Sequence, residues 1–160
     1  MTALSRIATL CVAVVISAAL AVTVSAQAGS EIGTWKLNVA KSKYSPGPAP
    51  KSQTVTFAAA GQGIKVSTEG VAADGSKTAQ SYTANYDGKD VVLTGSATSD
   101  HVSLKRINAT TVERTDKKAG KVVQTLTRVV SADGKTMTIT TKGTNAQGQA
   151  VNNIAVYDKQ

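Results

Sequence analysis

After residue 50 the chain is punctuated by turn sequences every 9 to 14 residues, and this beat restricts its folding more than any other feature. The turns are Ala60-Gly61-Gln62-Gly63, Ala73-Asp74-Gly75, Asp87-Gly88-Lys89, Thr98-Ser99-Asp100, Asn108-Ala109, Lys118-Ala119-Gly120, Ala132-Asp133-Gly134 and Asn145-Ala146-Gln147-Gly148. Asp-Gly and Asn/Gly-rich tetrads supply the positive φ angles of tight hairpins, and short β-branched runs lie between them. Strands joined in succession by hairpins are antiparallel neighbours, so the chain reads as a meander.

The runs alternate with period two, as half-buried strands do. Val55, Phe57 and Ala59 share a face, as do Ile64, Val66 and Thr68. Tyr82, Ala84 and Tyr86 line up, and so do Val102 with Leu104 and Met137 with Ile139. No segment after Val24 carries apolar residues at helical spacing. Strands are expected at 53–59, 63–69, 77–86, 90–94, 101–107, 111–116, 121–131, 135–142 and 150–158, with 33–37 as a tenth. Between 33–37 and the rest, residues 39–52 hold Pro46-Gly47-Pro48-Ala49-Pro50, which can neither pair in a sheet nor lie inside a helix. This is an extended connector. Ten meandering strands should curl and close, which makes an up-and-down β-barrel the simplest all-β fold; a two-sheet β-sandwich is the alternative.

The amino-terminal 28 residues have a different character. One charge, Arg6, precedes an apolar run from Ile7 to Val24 and the small residues Ser25-Ala26-Gln27-Ala28. That order is a secretory signal with cleavage after Ala28; an uncleaved membrane anchor is the competing reading, since the run is long enough to span. Cys11, the one cysteine, lies within the apolar segment and reads as an ordinary signal residue. Residues 29–160 then form a single domain without cysteine, exported yet independent of disulfides, a combination typical of bacterial periplasmic or secreted proteins. Removing Arg6 leaves 17 basic against 10 acidic side chains, a net charge of +7.

Two stretches resemble a known group. Gly33-Thr34-Trp35 on the first strand, ahead of an antiparallel meander, resembles the calycin superfamily of lipocalins and fatty-acid-binding proteins. Thr125-Leu126-Thr127-Arg128, then Asp133-Gly134-Lys135 and Met137-Thr138-Ile139-Thr140, is similar to the late strands of the fatty-acid-binding group. Val156-Tyr157-Asp158-Lys159 is similar to its last strand. The resemblance implies a barrel in which Arg128 and Tyr157 hold a ligand carboxylate. It departs from the family at two places. Ala155 stands where a second arginine would fall, and the proline-rich connector stands where the family carries two short helices.

A ten-strand barrel can enclose one small apolar ligand. Arg128 would then be an anion anchor, since a buried guanidinium needs a carboxylate or several acceptors; otherwise it is an ordinary solvated arginine. Tyr82 and Tyr86 would line the cavity or pack against its wall. Trp35 is expected to plug the base. His101, the one histidine, follows Asp100, which should point to the other side of the strand, and no nucleophile elbow accompanies it, so no catalytic residue is assigned. Asp74, Asp87 and Asp133 belong to Asp-Gly turns, where the carboxylate caps its own backbone rather than binding metal.

Lysines at 41, 43, 51, 117, 118 and 121 make the exterior basic, but six aromatics in 160 residues are too few for a nucleic-acid stacking surface. Lysines also protect sheet edges. The expected function is therefore non-enzymatic binding of a small hydrophobic or fatty-acid-like, amphipathic ligand, without cofactor, metal or nucleic acid. The protein would be a secreted or periplasmic monomer with no membrane span once the signal is removed. The alternative is a structural or surface-interaction β module with a filled core and a basic exterior.

Overall fold

A computed structural model describes residues 29–160; the signal-peptide reading falls on 1–28, outside the described residues. The described chain is all-β. Its strands are β1 (Gly33–Leu37), β2 (Ser52–Ala60), β3 (Gly63–Val71), β4 (Lys77–Ala84), β5 (Val91–Val92), β6 (His101–Arg106), β7 (Thr111–Lys118), β8 (Lys121–Val130), β9 (Thr136–Thr144) and β10 (Ala150–Lys159). One antiparallel sheet runs in the order β4-β3-β2-β1-β10-β9-β8-β7-β6-β5. Its two ends meet where Ser81 and Thr94 exchange backbone hydrogen bonds of 3.1 and 3.0 Å. The result is a nearly closed up-and-down barrel, the fold expected from the turn beat and implied by the family resemblance.

The turns work as their sequences require. Asp74 Oδ1 accepts from the Ser76 backbone N–H at 2.8 Å, Asp87 Oδ1 from Lys89 at 3.1 Å and Asp133 Oδ1 from Lys135 at 3.1 Å. These bonds hold the Asp74 and Asp133 carboxyls below the usual carboxylate range, with the Ser76 and Ser131 side chains the largest causes. The caps are local and structural.

The connector departs from expectation. Instead of leaving the sheet after Leu37, it makes one 3-10 turn at Val39–Lys41 and rejoins β10. Lys43 and Ile154 exchange backbone bonds of 2.7 and 2.8 Å, and Ser45 C=O accepts from the Asn152 N–H at 2.8 Å. The segment from Pro46 to Pro50, whose three prolines lack the N–H, lies beyond the pairing. This return brings Tyr44 over the barrel interior. Two further boundaries differ. β5 is confined to two residues; beyond it Thr94 bridges to Ser81, and Gly95 (φ 82°) packs its backbone against the carbonyl of Ala79, where a Cβ would lie 2.0 Å from the oxygen. β4 ends at Ala84, so Tyr86 falls outside the strand it was expected to continue.

The inward-facing residues change character along the barrel. On β2 the series is Phe57, Val55, Gln53; on β3 Ile64, Val66, Thr68; on β4 Ala84, Tyr82, Gln80. On β8 it is Val130, Arg128, Leu126, Gln124; on β9 Met137, Ile139, Thr141; on β10 Tyr157, Ala155, Asn153. Each series thus passes from the core at one end of the barrel to an amide or hydroxyl at the other. Trp35, Phe57, Ile64, Leu104, Val112 and Met137 are buried at the apolar end and form a floor. Burial of each such side chain contributes about 1.5–3 kcal/mol. Ala59 shares the parity of Phe57 but lies one pair from the Gly61 turn and is exposed.

Candidate ligand-binding cavity

Above the floor the barrel encloses a cavity of about 180 Å³. Val55, Phe57, Val66, Leu126, Ile139 and Ala155 make its apolar wall, and Gln53, Thr68, Gln80, Gln124, Thr141 and Asn153 ring the polar end. Ser96 and Thr98, from the segment linking β5 to β6, complete that ring. Three ionic side chains also line the cavity: Arg114 and Asp116 on β7 and Arg128 on β8.

Arg128 points inward because it alternates with Leu126 and Val130, and it pairs in register with Ile139 and Val112. Its guanidinium lies 4.5 Å above the centre of the Phe57 ring, a cation–π arrangement. Below it, Glu31 is almost wholly buried, and Arg128 Nη2 stands 3.6 Å from Glu31 Oε1, too far for a hydrogen bond. Arg128 Nε and Nη2 make no hydrogen bond to any described residue. Glu31 has other partners. The Tyr86 hydroxyl donates to Oε1 at 2.6 Å, Arg106 Nη2 approaches to 3.6 Å, and the Trp35 indole N–H donates to the Glu31 carbonyl at 2.7 Å. Ser30 Oγ donates to the Ala109 carbonyl at 3.1 Å, tying the segment before β1 across the closed end.

Arg114 is differently placed. Its Nε and Nη2 donate to the two oxygens of Asp116 at 2.5 and 2.8 Å, a bidentate pair, while the guanidinium lies 4.9 Å over the Tyr82 ring. That charge is satisfied internally. Among the described residues, three arginines therefore share the interior with two carboxylates, leaving one positive charge over, and the guanidinium with free donors is Arg128. A monoanion entering the cavity would balance it. Burial of an unmatched charge is otherwise costly.

Of the site residues expected from sequence, Arg128, Tyr157 and Tyr82 line the cavity. The Tyr157 hydroxyl donates to Gln53 Oε1 through a short contact, and burial pushes this phenol well above its ordinary range. Tyr82 is buried, and its hydroxyl makes no hydrogen bond to any described residue. Tyr86 is a correction. It lies past the end of β4, is not among the cavity's lining residues, and serves the Glu31 cluster; burial, then its bond to Glu31, raises its phenol. Ala155, at the place of the family's second arginine, faces the cavity, and Arg114 supplies the second inward arginine from β7 instead.

Sequence reasoning passed over Arg114, Asp116, Glu31 and Tyr44. Arg114 and Asp116 sit two apart on one strand face, but Glu113, Thr115 and Lys117 make the opposite face equally polar, so alternation gave no contrast. Asp100 is a second correction. It does not point away from His101: Oδ1 lies 2.9 Å from His101 Nδ1, while Oδ2 accepts from the Ala119 N–H at 2.9 Å. The pair is possible because Asp100 precedes β6 in a bend rather than alternating within it. The Ala119 bond and then the imidazole hold its carboxyl below the usual range. Both side chains are well exposed, and neither lines the cavity.

No protein-family model matches the chain, and no curated protein matches it. Among solved structures the chain is similar to the zebrafish ileal bile acid-binding protein complexed with cholic acid, with a TM-score of 0.49 and 11% identity over 82% of this chain and 100% of that one. The site is accordingly read from its own side chains.

Proposed function

We propose that the barrel is a non-enzymatic binding protein for a small amphipathic, acidic ligand, held with its apolar part against Phe57, Val66 and Ile139 and its anion at Arg128. One observation carries this reading: Arg128 is buried in the cavity wall with two guanidinium nitrogens free of hydrogen bonds to any described residue. Tyr157 and Tyr82 are the further polar contacts, and Tyr86 acts at one remove by holding Glu31. The leader-like residues 1–28 support a secreted or periplasmic location.

Native mass spectrometry of protein purified from its own host, followed by solvent extraction, tests the proposal directly. A retained acidic ligand is expected, and Arg128→Ala should weaken its binding at least tenfold more than that of the uncharged amide or alcohol analogue. Absence of any retained ligand, with no melting-temperature shift across a panel of acids and lipids, would sink the carrier reading. Equal losses for acid and analogue would remove Arg128 as anchor.

A further inference from the structure

We propose that the cavity selects a compact monocarboxylic acid bearing a second oxygen, about the size of a hydroxylated benzoate, rather than a long-chain acid. This rests on the binding reading above and narrows it. The first observation is volume. An apolar cavity of about 150 Å³ accepts one benzene ring, so about 180 Å³ accepts a ring with its substituents and little more. A long chain cannot continue past Arg128, because Trp35, Phe57 and Met137 seal the floor beneath it, and its remainder would lie among the amides and hydroxyls of the mouth.

The second observation is the number of unsatisfied polar groups in the wall. Arg128 offers free donors to one anion. Arg114 does not need another, since Asp116 occupies two of its nitrogens. Tyr82, 5% exposed, has the Arg114 guanidinium beside it, but its hydroxyl makes no hydrogen bond of ordinary geometry to any described residue. The two groups address one space: Tyr82, Val66 and Phe57 are cross-strand neighbours on β4, β3 and β2, and Arg128 lies over the Phe57 ring. A ligand seated on Phe57 and bonded to Arg128 therefore meets the Tyr82 hydroxyl, which can donate to a hydroxyl or carbonyl oxygen. A hydrocarbon there would leave the phenol buried and unpaired, which is unfavourable.

Isothermal titration of the purified protein with benzoate, the three hydroxybenzoates, the three methylbenzoates and hexadecanoate tests this. At least one hydroxybenzoate should bind one-to-one and about five- to tenfold more tightly than benzoate and than its isosteric methylbenzoate. Tyr82→Phe should abolish that advantage, bringing the hydroxybenzoate to the affinity of its methyl isostere in the same variant, whereas His101→Ala, exposed and outside the cavity, should preserve it. The methylbenzoate comparison, made on unaltered protein, stands even if Tyr82→Phe does not fold. Methyl and hydroxyl analogues binding equally, or the hydroxyl advantage surviving in Tyr82→Phe, would overturn the second-oxygen subsite. One-to-one hexadecanoate binding tighter than every benzoate would overturn the size limit while leaving the carrier reading intact. Binding of no acid at all would overturn both.

Discussion

The two ends of the barrel are built from the same strands with opposite kinds of side chain. At the closed end, Trp35, Phe57, Ile64, Leu104 and Met137 are buried, and the one acidic group among them, Glu31, is held by Tyr86 and flanked by two arginines. At the other end, Gln53, Thr68, Gln80, Gln124, Thr141 and Asn153 are only half-buried and can bond to water or to one another. A closed floor supplies stability because large apolar surfaces leave water and the residual polar groups are met internally. A mouth of amides and hydroxyls contributes little to stability, but it lets a solute exchange water for protein partners on the way in. Stability and access are thereby assigned to different ends.

The sharpest way to break this division is to cut into both ends and compare. Trp35→Ala removes the largest floor side chain together with its indole bond to Glu31, and should cost about 3–5 kcal/mol. Gln124→Ala at the mouth should cost below about 1 kcal/mol, because its one bond, to the Thr144 carbonyl, is exposed. Urea denaturation reads both. Similar losses at the two ends would mean that the mouth is part of the load-carrying core.

Glu31→Ala tests whether the floor depends on charge as well as apolar packing. It leaves Arg128 buried without its nearest carboxylate and the Tyr86 hydroxyl without its acceptor, and should cost about 3 kcal/mol. Anion affinity in the cavity should rise in that variant, since the competing negative charge is gone. A stable variant with unchanged affinity would show that Glu31 does not tune Arg128.

Most of the fold was legible in the chain, and the physical reason is repetition. Every hairpin signals itself twice, once by its Gly or Asp at a fixed spacing and once by the period-two runs on either side, so Asp133-Gly134 and its flanking strands could hardly read otherwise. Arg128 and Tyr157 were legible through motif position, and Tyr82 through alternation. Glu31 was not, because it lies before the first strand, outside any period, and its partners Tyr86 and Arg106 are 55 or more residues away. Tyr44 was hidden for a related reason: the prolines after it suggested a connector leaving the sheet, whereas the residues before them still carry free N–H groups and pair with β10. Tyr86 misled because Asp87-Gly88 ends the strand earlier than alternation alone implies.

The seam between β4 and β5 belongs to neither end, and a glycine pair measures how tightly it is closed. Gly88→Ala introduces a Cβ at φ 77° with nothing within 4 Å, so only the left-handed backbone is penalised, about 1 kcal/mol. Gly95→Ala meets the same backbone penalty at φ 82° and drives its Cβ into the Ala79 carbonyl, so it should cost about 1–2 kcal/mol more. Amide exchange at Ser81 and Thr94 should accelerate in Gly95→Ala and not in Gly88→Ala. Equal behaviour would mean the two sheet edges are not in close contact.

The smallest expected effect separates the ends by titration. Tyr86 at the closed end and Tyr157 on the cavity wall both have folded-state pKa values above the ordinary 10.0, burial being the leading cause in each. For an acid raised in this way, the folded state keeps a proton that the unfolded chain releases. The stabilisation is complete below the unfolded value near 10 and is lost as pH rises beyond it. Each tyrosine therefore removes about 1 kcal/mol of stability between pH 10 and 11. Tyr157→Phe should flatten the alkaline fall by one proton's share, because the ionisable phenol is gone, and at neutral pH it sacrifices only the bond to Gln53. Tyr86→Phe should flatten it equally but begin from a lower neutral-pH stability, since Glu31 Oε1 then loses its 2.6 Å donor in a closed, water-poor site. Melting curves at pH 8 and pH 11 for the two variants decide the point: equal stability at pH 8 would show that the Tyr86–Glu31 bond contributes no more to the floor than the Tyr157–Gln53 bond does to the wall.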